Sequence, residues 1–183
     1  MADYHFISAQ DLLLDSFRLA KAVLDSGYKP NYMVALWRGG SSVGIAVQEF
    51  LAYKGVETDH IAVRTSKYTG IDQAKEQVRV HGLDYLVERV NAGDRLLFVD
   101  DVYDTGLSMK AAIDTLRERT KERMPQQIKI ATVYYKPTRN KSGRVPDFYI
   151  HETDKWLFFP HELQGLSKEE ILQGHGEQVF KLL

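Results

Sequence analysis

Apolar residues recur along this chain in two rhythms, short unbroken runs and helical stripes, and the two alternate. Leu13, Phe17, Ala20 and Leu24 keep helical spacing behind Ser8, which can cap a helix with Asp11 three residues on. Gly27 suits the end of that helix, and Pro30 follows it. Tyr32–Leu36 is a buried-strand run, Trp37–Ser42 a loop, and Val43, Ala46, Val47 and Phe50 form one face of a second helix. His60–Val63 reads as a strand, and Leu83, Leu86, Val87 and Val90 mark another helix. Arg95–Val99 is a strongly apolar strand. A helix from Gly106 follows, with Met109, Ala112, Ile113 and Leu116 on one face. Further strands are predicted at Ile128–Tyr135, Phe148–Ile150 and Trp156–Phe159. Ser167 can cap a last helix, with Glu169 and Glu170 in its first turn.

Alternating strands and helices predict an α/β fold, a single domain over 1–183 with a central parallel sheet flanked by helices. No internal repeat or low-complexity tract interrupts it. Thr65–His81 stands apart: it is polar, lacks a clear apolar period, and is long for a connection inside a compact domain. Such loops are usually functional.

Composition narrows the setting. A chain of 183 residues, 44% hydrophobic, can build one sizeable core. A formal net charge of -1 offers no general attraction to nucleic acid or to an acidic membrane. The absence of cysteine excludes disulfides and thiolate metal sites, and it suits a reducing compartment. The first residues, MADYHFISAQD, carry acids and no long apolar run, and no stretch approaches the ~20 apolar residues of a membrane span. The expectation is a cytoplasmic protein with no nucleic-acid or membrane partner. The six histidines show no H-E-x-x-H spacing, and Arg139–Arg144 reads as a small solvated hairpin.

The chemistry concentrates after one strand, in Leu96-Leu97-Phe98-Val99-Asp100-Asp101-Val102-Tyr103-Asp104-Thr105-Gly106-Leu107-Ser108. Open α/β sheets bind ligands beyond the carboxyl ends of their strands. A helix start with a small glycine and nearby hydroxyls is an anion site suited to phosphate. Carboxylates just upstream would repel a bare phosphate. They make sense if the ligand also carries sugar hydroxyls or a Mg²⁺ ion, which prefers oxygen ligands. The combined expectation is a sugar phosphate, with its phosphate on Asp104, Thr105, Gly106, Leu107 and Ser108 and its hydroxyls near Asp100 and Asp101. The plainer alternative is a strand followed by an N-capped helix. Neither G-x-G-x-x-G nor a Gly-Lys-Ser/Thr phosphate loop occurs.

This run resembles the phosphoribosyl-pyrophosphate signature of the type I phosphoribosyltransferases. The similarity extends over roughly Tyr32 to Glu162 and is greatest to the xanthine-guanine and hypoxanthine, or 6-oxopurine, group. The resemblance implies transfer of ribose 5-phosphate from phosphoribosyl pyrophosphate to a purine base, with Mg²⁺, by an enzyme usually dimeric or tetrameric. Asp104 corresponds to the family's proposed general base, and Arg38, Gly39 and Gly40 to its pyrophosphate loop. Residues 65–81 match the mobile lid, where Ser66 and Tyr68 resemble a Ser-Tyr pair that covers the pyrophosphate; here Lys67 separates them. Residues 136–165 match the base-binding hood. Lys136 stands where a lysine reads the purine O6, and a side chain with donors only favours a ring carbonyl over an amino group. Trp156 and Leu157 match the purine-stacking segment, the indole offering a flat apolar face. Pro160 and Glu162 continue the similarity, but the group has Asp at the position of Glu162. Two alternatives stand beside this reading: a phosphoribosyltransferase for adenine or a pyrimidine, and a non-catalytic nucleotide-sensing regulator of the same fold. A receiver-like signalling domain would need acids on two separate strand ends, whereas Arg38 follows the earlier strand.

Overall fold

The computed structural model describes residues 4–68 and 77–183. Its elements are β1 (Tyr4–Phe6), α1 (Ala9–Asp25), β2 (Tyr32–Trp37), α2 (Gly39–Tyr53), β3 (Asp59–Tyr68), β4 (Gln77–His81), α3 (Asp84–Arg89), β5 (Arg95–Tyr103), α4 (Leu107–Thr120), β6 (Gln127–Tyr135), β7 (Phe148–Glu152), β8 (Trp156–Phe158) and α5 (Lys168–Phe180). Six strands form one sheet in the order β4-β3-β2-β5-β6-β7; every neighbouring pair is parallel except β3 with β4. β1 and β8 form a separate parallel pair.

The continuous apolar run of β5 is explained by burial on both faces. Leu97 and Val99 pack with Leu19 and Val23 of α1 and Val43, Val47 and Leu51 of α2. Leu96 and Phe98 point the other way, against Leu86 of α3 and Met109, Ala112, Ile113 and Leu116 of α4. A strand covered on both sides needs apolar residues at every position, not at alternate ones. Hence the centre of the sheet was the most legible part of the sequence.

Several local expectations are revised. The buried stripe of α1 is Leu12, Leu19, Ala20 and Val23 with Asp15 and Ser16, whereas Leu13 is exposed; the run Leu12-Leu13-Leu14 fits either face, and packing against the sheet selected Leu12. β5 continues past Val99 to Tyr103, so both Asp100 and Asp101 lie on the strand and not in a loop. Its partner β6 is equally long, and the Asp100–Thr132 and Tyr103–Tyr135 pairings hold the acidic stretch extended. The segment 65–81 is partly regular: β3 runs on to Tyr68, and β4 returns antiparallel beside it. The period-two signal was Val78 and Val80 alternating with Arg79 and His81; Val80 packs on the α3/α4 core. Residues 69–76, the centre of the expected lid, lie outside the described residues, as does the side chain of Tyr68. Finally, β1 is too short to announce itself, and only its pairing with β8 makes it a strand. At the other end the predicted cap is present: Ser167 and Glu170 form a reciprocal capping box on α5. Among the described residues, no helix is long and apolar enough to cross a membrane.

Candidate active site

The parallel strands β2, β5 and β6 end side by side, and their C-terminal ends carry Arg38, the acidic pair and Lys136. β2 leads into Arg38-Gly39-Gly40 through a cis Trp37–Arg38 peptide, and α2 begins at Gly39. Both glycines are required by the acidic pair of β5. A methyl group on Gly39 would overlap the Asp101 carboxylate, with even the farther oxygen only 2.7 Å away. One on Gly40 would lie 2.7 Å from the Val99 carbonyl oxygen and 2.9 Å from Asp100 Oδ1. Such distances are below van der Waals contact, so only glycine lets these backbones approach. The two motifs, some 60 residues apart, are therefore one unit.

Within that unit the two acids differ. Asp100 Oδ1 accepts a hydrogen bond from the Asp101 N–H at 3.0 Å. Burial, and then the neighbouring Asp101 charge, push the Asp100 carboxyl well above the usual carboxylate range; the Asp101 and Gly40 N–H groups oppose this. Asp101 is almost fully buried; its Oδ1 accepts from Val102 N–H at 2.7 Å, and its Oδ2 lies 3.3 Å from His161 Nε2. His161 itself stacks on Phe159. Two crowded carboxylates held at one strand end suit a hard cation or a pair of hydroxyl donors. No cluster of three or more metal-ligating His, Cys, Asp or Glu occurs among the described residues. Mg²⁺ commonly takes only one or two protein carboxylates and fills its other positions with water and phosphate oxygen.

Beyond Tyr103 the chain turns into α4. Gly106 adopts a left-handed conformation (φ 71°), and a side chain there would strike the Tyr103 ring and Ser142 Oγ, at 2.5 and 2.7 Å. The first turn of α4 contains no acid. Its first-turn N–H groups, with the Thr105 and Ser108 hydroxyls nearby, are the kind of donors an anion needs, and the Leu107 N–H points at Thr105 Oγ1 at 3.4 Å.

The base-binding expectations also meet in space. Lys136, at the end of β6, is 5% exposed, and its amine lies 5.8 Å from the centre of the Trp156 ring. Burial lowers its pKa, while the negative charge of Asp104 opposes that shift. This is not an ordinary surface lysine. Trp156 is 53% exposed, so an indole face stays available for a ring ligand. β8 holds Trp156 and Leu157 in register with Tyr4 and His5 of β1.

Ser66 is tied to its own hairpin, its hydroxyl 3.2 Å from His81 Nε2. Because Trp37 pairs with Arg64, Ser66 lies two residues beyond the level of Trp37, where β2 has given way to the Arg38–Gly40 loop.

Sequence reading missed two features. His161 came to Asp101 through tertiary folding alone. The basic turn after Lys136 is not a solvated hairpin. Pro137–Arg139 forms a 3-10 turn, Lys141 N–H donates to the Thr105 carbonyl at 2.9 Å, and the Ser142 hydroxyl lies 2.8 Å from the Tyr103 hydroxyl. Arg139 Nε lies 2.6 Å from Asp104 Oδ1. The available signal was Lys136-Pro137-Thr138-Arg139: in a 3-10 turn residues three apart share one side.

Comparison with known proteins agrees with this geometry. The family described as phosphoribosyl transferase domain matches residues 8–164. Xanthine phosphoribosyltransferase 1 of Saccharomyces cerevisiae is 26% identical over 188 residues, covering 86% of this chain and 90% of that protein. The human phosphoribosyltransferase domain-containing protein 1 is 30% identical over 178 residues, covering 90% and 76% respectively. The crystal structure of a purine phosphoribosyltransferase from Pyrococcus horikoshii superposes with a TM-score of 0.70 at 25% identity, covering 90% of this chain and 98% of that one. The chain belongs to the phosphoribosyltransferase family and is an enzyme of the glycosyltransferase type.

Proposed function

We propose that the enzyme transfers ribose 5-phosphate from phosphoribosyl pyrophosphate to a 6-oxopurine (hypoxanthine, guanine or xanthine), releasing a nucleoside monophosphate and pyrophosphate. The observation that carries this reading is Lys136, a buried amine against the Trp156 ring with Asp104 near enough to affect its charge. A purine on the indole would present its edge to that amine, which can only donate, so an oxo group is accepted there and an exocyclic amino group is refused.

In this reading Asp104, Thr105, Gly106, Leu107 and Ser108 hold the 5-phosphate, largely through N–H groups. Asp100 and Asp101 hold the ribose hydroxyls, directly or through Mg²⁺. Arg38, Gly39 and Gly40 receive the pyrophosphate, with residues 65–81, including Ser66 and Tyr68, as the lid over it. Residues 136–165 form the hood, where Leu157 lines the ring edge. The C1–oxygen bond to pyrophosphate breaks as the purine nitrogen bonds to C1. Positive charge builds on the sugar, and lid closure keeps water from it. Asp104 Oδ1 is taken by Arg139 Nε at 2.6 Å, so the other carboxylate oxygen, Oδ2, is the acceptor for the proton lost from the purine N7. Mg²⁺, when bound, offsets the charge of the departing pyrophosphate. Most of the acceleration then comes from positioning and fixed charge, with no covalent intermediate on the protein. The same reading includes a cytoplasmic setting and a homo-oligomer.

The test is pyrophosphate release from phosphoribosyl pyrophosphate and Mg²⁺ with each of hypoxanthine, guanine, xanthine, adenine, uracil and orotate. Turnover is expected with one or more of the three oxopurines. Turnover with adenine or a pyrimidine alone would overturn the Lys136 assignment. No turnover with any base would overturn the enzymatic reading and leave the nucleotide-sensing alternative.

A further inference from the structure

The loop read as the 5-phosphate cradle contains an electrostatic conflict. A phosphate dianion is to be held by Asp104–Ser108, yet the first residue of that loop is itself a carboxylate. Two anions in one short loop repel strongly where the surroundings are partly dry. The nearest cation to Asp104 is Arg139, with Nε 2.6 Å from Oδ1. A half-exposed ion pair is ordinarily weak, because water screens it and two long side chains must be ordered. Here much of the ordering is done by the backbone. The turn carrying Arg139 is bound to the loop by Lys136 N–H on the Tyr103 carbonyl at 3.0 Å and by Lys141 N–H on the Thr105 carbonyl at 2.9 Å. The Tyr103–Ser142 hydroxyl contact adds a third link under Gly106. Arg139 N–H in turn donates to the Lys136 carbonyl at 3.2 Å. Asp104 is thus flanked by two cations of one pinned turn.

We propose that Arg139 is a positioning residue that neutralises Asp104, so that the loop can hold a carboxylate and the 5-phosphate together. This rests on the functional reading above. Arg139 acts through Asp104 and does not touch the reacting atoms. Without it, the Asp104 carboxylate and the phosphate face each other in one short loop with less opposing charge between them. The loss therefore falls on ligands that carry the 5-phosphate.

The experiment compares binding of inosine 5′-monophosphate and of inosine, by calorimetry, to the wild type and to Arg139→Gln, Arg139→Lys, Asp104→Asn and Asp104→Asn/Arg139→Gln. Arg139→Gln is expected to weaken the monophosphate by about 10- to 100-fold and to leave inosine nearly unchanged. Arg139→Lys should keep most of the affinity. In the Asp104→Asn background, removing Arg139 should cost much less, because no carboxylate remains to be neutralised. An equal loss for inosine and its monophosphate would mean a structural role only and would overturn the proposal. So would an undiminished loss in the Asp104→Asn background, which would mean that Arg139 meets the phosphate itself. A wild type that binds the monophosphate, with an Arg139→Gln variant that binds it equally well, would overturn this inference and leave the functional reading standing. A wild type that neither binds the monophosphate nor turns over an oxopurine would overturn both.

Discussion

Replacing Gly39 with alanine adds one methyl group, and its consequence can be worked from the structure. Even the farther Asp101 oxygen, Oδ1, would lie 2.7 Å from the new carbon, against an ordinary contact of 3.4–4 Å. The nearer oxygen overlaps it outright. The carboxylate must therefore shift by well over half an ångström, which strains its bond from Val102 N–H and its contact with His161. A hydrogen bond to a charged group contributes about 1.5–3 kcal/mol. If the displaced carboxylate loses one such bond to the ribose or to Mg²⁺, the KM for phosphoribosyl pyrophosphate rises by about 10- to 150-fold. The assay is initial-rate kinetics with each substrate varied in turn, with thermal unfolding as a check. The purine KM should change far less, because Lys136 and Trp156 are untouched. Gly93→Ala is the matched control, since nothing lies within 4 Å of a carbon added there. An unchanged KM for phosphoribosyl pyrophosphate in Gly39→Ala, or an equal rise in both KM values, would refute the claim that the acid pair and the glycine loop form one substrate-binding unit.

Other consequences are more local. Trp156→Ala should raise the purine KM by about 5- to 150-fold, the loss of one base-stacking ring, with little change for phosphoribosyl pyrophosphate; initial rates with the base varied check it. Leu97→Ala opens the wholly buried centre of the sheet and should destabilise the fold by about 2–5 kcal/mol, read by denaturant unfolding. Ser167→Ala removes the capping box of α5 and should cost about 1 kcal/mol without altering turnover. Burial lowers the pKa of Lys136 below that of an exposed lysine. The charged amine is the form that binds an oxo group. Oxopurine affinity is therefore complete below the depressed pKa and is lost as pH rises through it, sooner than for an exposed lysine. Lys136→Gln should lack that component when the same base is titrated over the same pH range.

What the sequence could determine alone was whatever is encoded in neighbouring residues. Leu96–Val99 declares a strand buried on both faces, because each of its side chains needs an apolar partner. Asp104–Ser108 declares a helix start with a glycine and hydroxyls, the local pattern from which an anion site is proposed. Ser8 and Ser167 declare helix starts for the same reason. The tertiary structure decided what depends on residues far apart meeting. Only packing chose Leu12 over Leu13 on α1, since a run of three leucines fits either face. Only pairing with β6 carried β5 through the two acids to Tyr103, and only pairing with β8 made a strand of Tyr4–Phe6. Above all, the sequence could name Asp101, Gly39, Asp104 and Lys136 but could not say why Gly39 has no side chain, nor that Arg139 and His161 attend the two acids. Charges and excluded volume act through space and not along the chain, so those partners become legible only once the strand ends lie side by side.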